Sequence, residues 1–171
     1  MNNRNLRIVL TGFMGVGKST VAKCLSYILQ SERIDLDRFI EEKEARTIPE
    51  IINIDGIENY RQIETQYLKQ VLAETDSRII ALGGGAWITD ENRQIIKNNN
   101  CVTIWLESTF EHCWRNINIS KQERPLAKDR LSVQKLFEER QKIYCLADWH
   151  LVVKPELTSL DLAKFIAEEI L

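Results

Sequence analysis

Residues 6–20 read LRIVLTGFMGVGKST, and this stretch decides the fold. The apolar run Leu6–Leu10 predicts a buried strand, and apolar residues at helical spacing predict a helix over about 17–30. Between them, Gly12–Ser19 matches the pattern G-x-x-x-x-G-K-[ST], in the strand-then-helix context that this pattern requires. Glycines let backbone N–H groups turn inward around phosphate oxygens, and the helix N-terminus adds positive potential. The stretch therefore predicts a site for a nucleoside triphosphate.

Individual roles follow from the same motif. We expect Lys18 to reach the β- and γ-phosphates and the Ser19 hydroxyl to bind Mg²⁺. A guanine-specific Asn-Lys-x-Asp motif is absent, which argues against a GTPase, and the chain length suits a small-molecule kinase. The residues predicted to bind the nucleotide through this turn are Gly15, Val16, Gly17, Lys18, Ser19 and Thr20.

Strands and helices alternate along the rest of the chain. Further strands are predicted at 33–35, 78–82, 101–106 and 149–153. Helices are predicted at 37–46, from Pro49 onward, and at 57–74, 90–99, 108–117 and 131–146; a last one carries Leu162, Phe165, Ile166 and Ile170 on one face. Residues 118–130 are expected to form a mobile loop. This alternation predicts a mainly parallel sheet with helices on both faces.

Composition limits the remaining classes of function. The chain has 171 residues, 44% of them hydrophobic, which suits one domain over residues 1–171. Its 23 basic and 25 acidic residues give a net charge of −2, which argues against a nucleic-acid partner bound by bulk charge. No apolar run approaches the ~20 residues of a membrane span, and no signal peptide is expected. Four cysteines without CxxC spacing predict reduced thiols in the cytoplasm, and the two histidines are not spaced for a zinc site.

Asp35 and Asp37 follow the predicted strand at 33–35. Strand alternation would place both carboxylates on one side. Near a phosphate-binding turn, Asp35 could hold Mg²⁺ and Asp37 could take the proton of an acceptor hydroxyl. The alternative is that Asp37 caps a helix that begins at Arg38, although two acids exceed what a cap needs.

Two arginines fall on apolar helix faces. Arg61 shares a stripe with Glu64, so the pair is either a helical salt bridge or an anion-binding arginine held by Glu64. Arg140 lies four residues after Leu136 and four before Tyr144, inside the apolar stripe of its helix. A guanidinium there needs an anionic partner, which is either a buried carboxylate of the protein or a substrate anion.

Two loop features also suggest contacts with a ligand. Gly83, Gly84 and Gly85 follow a predicted strand, at the sheet edge where open α/β folds bind ligands, although the three glycines could also be a flexible turn. Arg124 lies in the predicted mobile loop, where it could swing onto the transferring phosphate or simply remain solvated.

Six motifs in order make the chain resemble the shikimate kinase family over about residues 6–170. They are the turn GFMGVGKST (12–20), Asp35-Leu36-Asp37, Asp55-Gly56 followed by Tyr60-Arg61-x-x-Glu64, Gly83-Gly84-Gly85-Ala86, Arg124-Pro125-Leu126, and Glu139-Arg140 with Tyr144. The resemblance implies a P-loop kinase of three α/β/α layers, with a five-stranded parallel sheet in the order 2-3-1-4-5. It also implies a substrate-binding segment at about 37–63 and a lid at about 116–128.

The resemblance further implies ATP-dependent phosphorylation of the 3-hydroxyl of shikimate, in the route to chorismate and aromatic amino acids. Ser19 and Asp35 would organise Mg²⁺, and Asp37 would hold and deprotonate the acceptor hydroxyl. Shikimate would lie against the glycine turn, with both arginines directed at its carboxylate, and Arg124 would close over the phosphates. Arg115 and Lys154 would flank the adenine. The residues implied to bind shikimate are Asp37, Arg61, Gly83, Gly84, Gly85 and Arg140.

The chain departs from the family pattern in the pocket lining. Tyr60 stands where the family has Phe, and Ile52 stands where an aromatic residue is common. A kinase of the same fold acting on gluconate or a nucleotide, and a catalytically idle kinase-like domain, remain alternatives. We expect a monomer in which cationic side chains gather in one cleft despite the net charge of −2.

Overall fold

The stretch 6–20 forms the strand, turn and helix that its pattern predicts. The structure, a computed structural model, describes residues 6–120, 126 and 129–170. Strand β1 covers Ile8–Thr11, whose four residues are all fully buried, and helix α1 covers Lys18–Leu29. Burial on both faces explains why this strand is a continuous apolar run rather than an alternating one.

Five strands form one sheet in which each strand is parallel to its neighbours. The order β2-β3-β1-β4-β5 agrees with the predicted 2-3-1-4-5. All carboxyl ends of the strands consequently lie along one edge, where the loops that follow them meet. The other strands are β2 (Arg33–Asp35), β3 (Ile79–Ala81), β4 (Val102–Glu107) and β5 (Trp149–Val152).

Helices link the strands and cover the sheet. Helix α1 packs against α8, whereas α4 packs against α2, α3 and α5. A 3₁₀ turn at Ala86–Ile88, which the sequence pattern did not predict, follows the three glycines. The helices after α1 are α2 (Leu36–Glu44), α3 (Ile48–Asp55), α4 (Ile57–Glu74), α5 (Asp90–Asn98), α6 (Phe110–Ile119), α7 (Arg130–Tyr144) and α8 (Ser159–Phe165).

The start of α2 corrects the reading of the two aspartates. The chain turns helical at Leu36, directly after β2, so strand alternation does not extend to Asp37. Asp35 is the N-cap residue, and its Oδ1 accepts a hydrogen bond from the backbone N–H of Arg38 at 3.4 Å. The alternative in which Asp37 caps the helix is therefore wrong, because Asp37 lies in the first helical turn.

Two further expectations differ from the structure. The sequence places Phe165 on the buried face of the last helix, but it is 45% exposed, because that face consists of Leu162, Ala163 and Ile166 and leaves position 165 at its edge. Helix α6 extends to Ile119, so the predicted loop at 118–130 begins later than expected. Most of that loop, including Arg124, lies outside the described residues.

The cysteines and the helix lengths add two observations. All four cysteines are free thiols; Cys101 and Cys113 are buried and Cys145 is exposed. Within the described ranges, the helices lack the combination of length and apolar character that a membrane crossing requires.

Candidate active site

The turn between β1 and α1 has the backbone of a phosphate-binding loop. Gly15 and Gly17 have φ values of +80° and +106°, which residues with a Cβ rarely adopt. A Cβ on Gly15 would lie 2.6 Å from the carbonyl oxygen of Cys113, so helix α6 leaves no room for a side chain there. Lys18 is buried, and its Nζ donates to the carbonyl oxygens of Gly12 at 2.7 Å and Phe13 at 3.2 Å.

Ser19 and Asp35 meet at the N-terminus of α1. The Ser19 hydroxyl donates to Oδ2 of Asp35 at 2.5 Å, although the two residues are sixteen positions apart. Hydroxyl and carboxylate oxygens are the donors that Mg²⁺ prefers, and Mg²⁺ in kinases also takes ligands from water and phosphates. Among the described residues, no cluster of three or more His, Cys, Asp or Glu side chains forms a metal cage. The pair therefore fits Mg²⁺ that arrives with a nucleotide.

Asp37 is a carboxylate with an unusual environment. Its Oδ1 atom is buried and has no hydrogen-bond partner among the residues that the structure describes. Burial raises the pKa of Asp37 from its ordinary value of 3.8 to about 7, the charges of Glu64 and Asp35 add to this rise, and Lys18 opposes it. A carboxylate on the wall of a cleft, with a pKa raised toward 7, is suited to receive a proton near neutral pH.

Arg61, Glu64 and Tyr60 form a connected group on α4. Nη1 of Arg61 donates to Oε2 of Glu64 at 2.7 Å, and the Tyr60 hydroxyl donates to Oε1 of the same carboxylate at 3.3 Å. Glu64 is only 1% exposed, and burial raises its pKa against the opposing influence of Arg61 and Tyr60. The helical salt bridge exists, and both arginine and glutamate also line a cleft, so the two alternatives for Arg61 do not exclude one another.

Arg140 is buried, and no carboxylate of the described residues pairs with it. Its Nη1 donates to the carbonyl oxygen of Gly84 at 3.0 Å, and the Tyr144 hydroxyl donates to the same oxygen at 2.5 Å. None of the salt bridges within the described ranges includes Arg140. A buried guanidinium that makes no salt bridge with the protein has the capacity to bind an anionic ligand.

The three glycines after β3 leave room for these side chains, because glycine has no Cβ. A Cβ on Gly83 would lie 2.3 Å from Oδ1 of Asp37, and a Cβ on Gly85 would lie 2.2 Å from Nη2 of Arg61. Gly84 faces Arg140, whose Nη1 would lie 3.6 Å from a Cβ there. Each glycine thus adjoins one of the three predicted substrate contacts, which a merely flexible turn would not require.

A cleft of about 850 Å³ joins the phosphate-binding turn to this group. It brings together residues that are far apart in sequence, and helices α2, α3 and α6 supply further walls. The predicted site residues that line it are Gly15, Gly17, Lys18, Ser19, Thr20, Asp35, Asp37, Arg61, Gly83, Gly84, Gly85 and Arg140.

Within the described ranges, three predicted nucleotide contacts do not line this cleft. Val16 is buried, and its backbone N–H donates to the carbonyl of Phe13. Arg115 and Lys154 are exposed outside the cleft, and Arg124 lies beyond the described residues. Their roles stay predictions.

Asn116 is a cleft residue that the sequence pattern did not single out. Its Nδ2 donates to the carbonyl oxygen of Gly15 at 2.8 Å, so α6 is tied to the phosphate-binding turn. Cys113 and Ile117 are the buried residues of α6. Position 116 lies next to this face at i+3 from Cys113, and that spacing could have pointed to Asn116.

The fold and the cleft together define the class of P-loop kinases. A parallel sheet in this order, with a phosphate-binding turn after its central strand, is what this class shares. Comparison with known proteins narrows the class. The family model described as "Shikimate kinase" matches residues 14–171, and this chain belongs to the shikimate kinase family.

Individual relatives agree with the family model. The shikimate kinase of Bacillus licheniformis is 35% identical over 168 residues, which cover 96% of this chain and 93% of that protein. A structure of shikimate kinase from Acinetobacter baumannii in complex with shikimate superposes with a TM-score of 0.88 at 28% identity, covering 96% of this chain and 92% of that one. A gluconokinase from Sinorhizobium meliloti is similar with a TM-score of 0.54 and 11% identity, covering 94% and 88%, which shows a shared fold alone.

Proposed function

We propose that this chain transfers the γ-phosphoryl group of ATP to the 3-hydroxyl of shikimate, as a step toward chorismate and the aromatic amino acids. The hydroxyl oxygen forms a bond to the γ-phosphorus, and the bond from that phosphorus to the β–γ bridging oxygen breaks. The products are shikimate 3-phosphate and ADP, and the hydroxyl proton passes to the protein. Membership of the shikimate kinase family supports this assignment.

The arrangement around the glycine turn carries the proposal. Asp37, Arg140 and Arg61 adjoin Gly83, Gly84 and Gly85 in that order, on the wall of the cleft that also contains Lys18. One proton acceptor beside two guanidinium groups suits a small substrate that has both a hydroxyl and a carboxylate. A nucleotide acceptor would give the two arginines a phosphate instead, and a neutral sugar would give them no charge to bind.

Asp37 is the proposed acceptor of the hydroxyl proton. Its carboxylate lines the cleft, where it can accept a hydrogen bond from the substrate hydroxyl, and its raised pKa matches proton transfer near pH 7. Lys18 would stabilise the negative charge on the transferring phosphoryl group, and its buried position excludes competing water.

Ser19 and Asp35 are the proposed partners of Mg²⁺. When bound, Mg²⁺ would neutralise charge on the β- and γ-phosphates of ATP. The hydrogen bond between the Ser19 hydroxyl and Asp35 holds both oxygens at the N-terminus of α1, where phosphate oxygens would also arrive.

Several finer predictions belong to the same proposal. Arg124 closes a lid of about 116–128 over the phosphates, and residues 37–63 form the substrate-binding segment. Arg115 and Lys154 flank the adenine, and Val16 contributes to ATP binding. The chain works as a single domain and a monomer, and the cysteine pattern suits the reducing cytoplasm.

A coupled assay of ADP release with ATP and Mg²⁺ tests the proposal. We expect turnover with shikimate and none above background with gluconate or nucleoside monophosphates. Turnover with gluconate or a nucleotide, and not with shikimate, would show that the proposed substrate is wrong. The absence of turnover with every acceptor would favour a catalytically idle kinase-like domain.

Replacing Arg140 tests the substrate carboxylate. Arg140→Ala should raise KM for shikimate at least about 30-fold, because truncating one partner of a buried charge pair costs about 2–5 kcal/mol. Arg93→Ala is a matched control, since Arg93 also donates to backbone carbonyls, those of Trp87 and Ile88, but lies outside the cleft. An unchanged KM in Arg140→Ala would contradict the proposed substrate contact.

A further inference from the structure

The Tyr60 hydroxyl is a feature of the cleft that the proposed chemistry does not use. It donates to Oε1 of Glu64 at 3.3 Å, while Oε2 of that carboxylate accepts from Arg61 at 2.7 Å. The Arg61 guanidinium also lies over the Tyr60 ring, with Cζ 5.3 Å from the ring centre. Tyr60 therefore contacts Arg61 directly through its ring and indirectly through Glu64.

We infer that Tyr60 is a positioning residue for substrate binding: its hydroxyl fixes the Glu64 carboxylate, and Glu64 in turn orients Arg61 toward the carboxylate of the acceptor. This inference rests on the proposed function. It assigns a task to a hydroxyl group that the family pattern, with Phe at this position, does not supply.

The packing around Glu64 shows why a second donor matters. Glu64 is 1% exposed and Tyr60 is 4% exposed, so water cannot substitute for the hydroxyl. A buried carboxylate oxygen without a donor carries a full desolvation penalty, and it would rotate or take up a proton to reduce that penalty. Either change would weaken the hydrogen bond from Arg61, which comes from the other oxygen of the same group.

The protonation states fit this role. Burial, together with the negative charges of Asp37 and Glu64, raises the pKa of Tyr60 far above its ordinary value, so the hydroxyl remains a donor. Its hydrogen bond to Glu64 acts to lower the pKa of that carboxyl, as the bond and charge of Arg61 do, against the effect of burial. Tyr60 thus helps to keep Glu64 ionised and paired with Arg61.

The substitution Tyr60→Phe removes the hydroxyl and keeps the ring over Arg61. We expect KM for shikimate to rise ~3- to 10-fold, the range of one buried hydrogen bond, with kcat changed less than about two-fold and KM for ATP unchanged. Tyr67→Phe is the matched control on the same helix. The Tyr67 hydroxyl donates to Oε1 of Glu44 at 2.8 Å, outside the cleft, so this variant should keep the KM of the unmodified protein.

A double-variant cycle separates positioning from general packing. In the Glu64→Gln background, Tyr60→Phe should have little further effect on KM, because the pathway to Arg61 is already broken. Binding of shikimate methyl ester, which lacks the negative charge, should be equal for the unmodified protein and Tyr60→Phe in calorimetric titration. If Glu64→Gln fails to fold, the comparison with the ester still distinguishes positioning of Arg61 from general packing.

Two results would overturn the inference about Tyr60. One is an unchanged KM for shikimate in Tyr60→Phe. The other is that Tyr60→Phe raises KM by the same factor in the Glu64→Gln background, or weakens binding of the methyl ester as much as it weakens binding of shikimate. If the unmodified protein itself does not phosphorylate shikimate, the proposed function fails instead, so the two failures are distinguishable.

Discussion

Asp37 is the residue at which charge and burial conflict most clearly. Its pKa is raised to about 7 by burial and by the charges of Glu64, Asp35 and Glu41. Because the folded protein binds a proton more tightly there than the unfolded chain does, its stability falls as pH rises from about 4 to about 7. Above that range the cost of the buried charge is constant. The proposed proton acceptor thus lowers the stability of the fold at the pH at which it would work.

The Asp37→Asn substitution should separate these two effects. We expect it to abolish turnover while ATP still binds, because the amide cannot accept the hydroxyl proton. We also expect it to stabilise the protein at pH 8 by at least about 1 kcal/mol, or roughly 2–4 °C in Tm, and by less at pH 5. Thermal unfolding followed by circular dichroism measures the stability, and the ADP-release assay measures turnover.

Asp76→Asn is the control for the stability measurement. Asp76 is exposed and lies outside the cleft, so its variant should unfold like the unmodified protein at both pH values. Normal turnover by Asp37→Asn would show that Asp37 accepts no proton. Equal stability of Asp37→Asn and the unmodified protein at pH 8 would show that its charge is not costly.

At the scale of an element, the turn at Gly83–Gly85 organises the substrate side of the cleft. It follows β3, beside the central strand, and leads into the 3₁₀ turn at Ala86–Ile88. None of the three glycines has a positive φ, so close approach, and not backbone conformation, requires glycine here. The approaching atoms are the ends of the Asp37 and Arg61 side chains, which can move, rather than backbone.

Gly85→Ala should therefore displace Arg61 without unfolding the protein. A new Cβ would lie 2.2–2.5 Å from three atoms of the Arg61 guanidinium, and the guanidinium would have to move away. We expect KM for shikimate to rise roughly 10-fold or more, because small misplacements of binding groups are costly, with little change in Tm. Steady-state kinetics and thermal unfolding together provide the measurement.

Gly84→Ala is the comparison for this test. A Cβ on Gly84 would lie 3.4 Å or more from its neighbours, an ordinary contact distance. Its KM should therefore change less than that of Gly85→Ala. The reverse order of effects, or an unfolded Gly85→Ala, would contradict the proposed role of the turn.

At the scale of the whole molecule, the strand order brings the two halves of the site together. The phosphate-binding turn follows the central β1, Asp35 ends the edge strand β2, and the three glycines follow β3 between them. The described cleft is not a positive patch as the sequence pattern suggested. It is lined by four cationic side chains (Lys18, Arg38, Arg61 and Arg140) and by four acidic ones (Asp35, Asp37, Glu41 and Glu64). Selectivity for anions must therefore come from where each charge lies and not from their sum.

Thermal unfolding with and without ligands tests whether the nucleotide side and the substrate side of the cleft unfold as one cooperative unit. We expect a single thermal transition whose Tm rises with ATP–Mg²⁺ and, separately, with shikimate. Each ligand at a hundred-fold excess over its Kd adds about 2.7 kcal/mol to the free energy of unfolding. Lys18→Met should abolish the shift caused by ATP and retain the shift caused by shikimate.

Lys97→Met, an exposed lysine on α5, is the control and should retain both shifts. Two separate transitions would contradict a single domain. Loss of the shikimate shift in Lys18→Met would mean that the two halves of the cleft are not independent.

Local sequence patterns predicted most of the fold. The apolar strands, the amphipathic helices and the glycine-rich turn depend on interactions between near neighbours, and their positions agree with the structure to within a few residues. The resemblance to a known family correctly indicated the strand order and the family itself. The prediction for the last helix is wrong at Phe165, because the buried face of that helix consists of Leu162, Ala163 and Ile166 and leaves position 165 at its edge.

The sequence by itself determined that this chain has a phosphate-binding turn, a parallel α/β fold and a set of candidate charges. Only the tertiary structure decided which charges meet. It assigned the cap to Asp35 rather than Asp37, put Asn116 against Gly15, and joined Tyr60 to Arg61 through Glu64. The physical reason is that burial, pairing and pKa depend on distances between residues remote in sequence, which no local pattern contains.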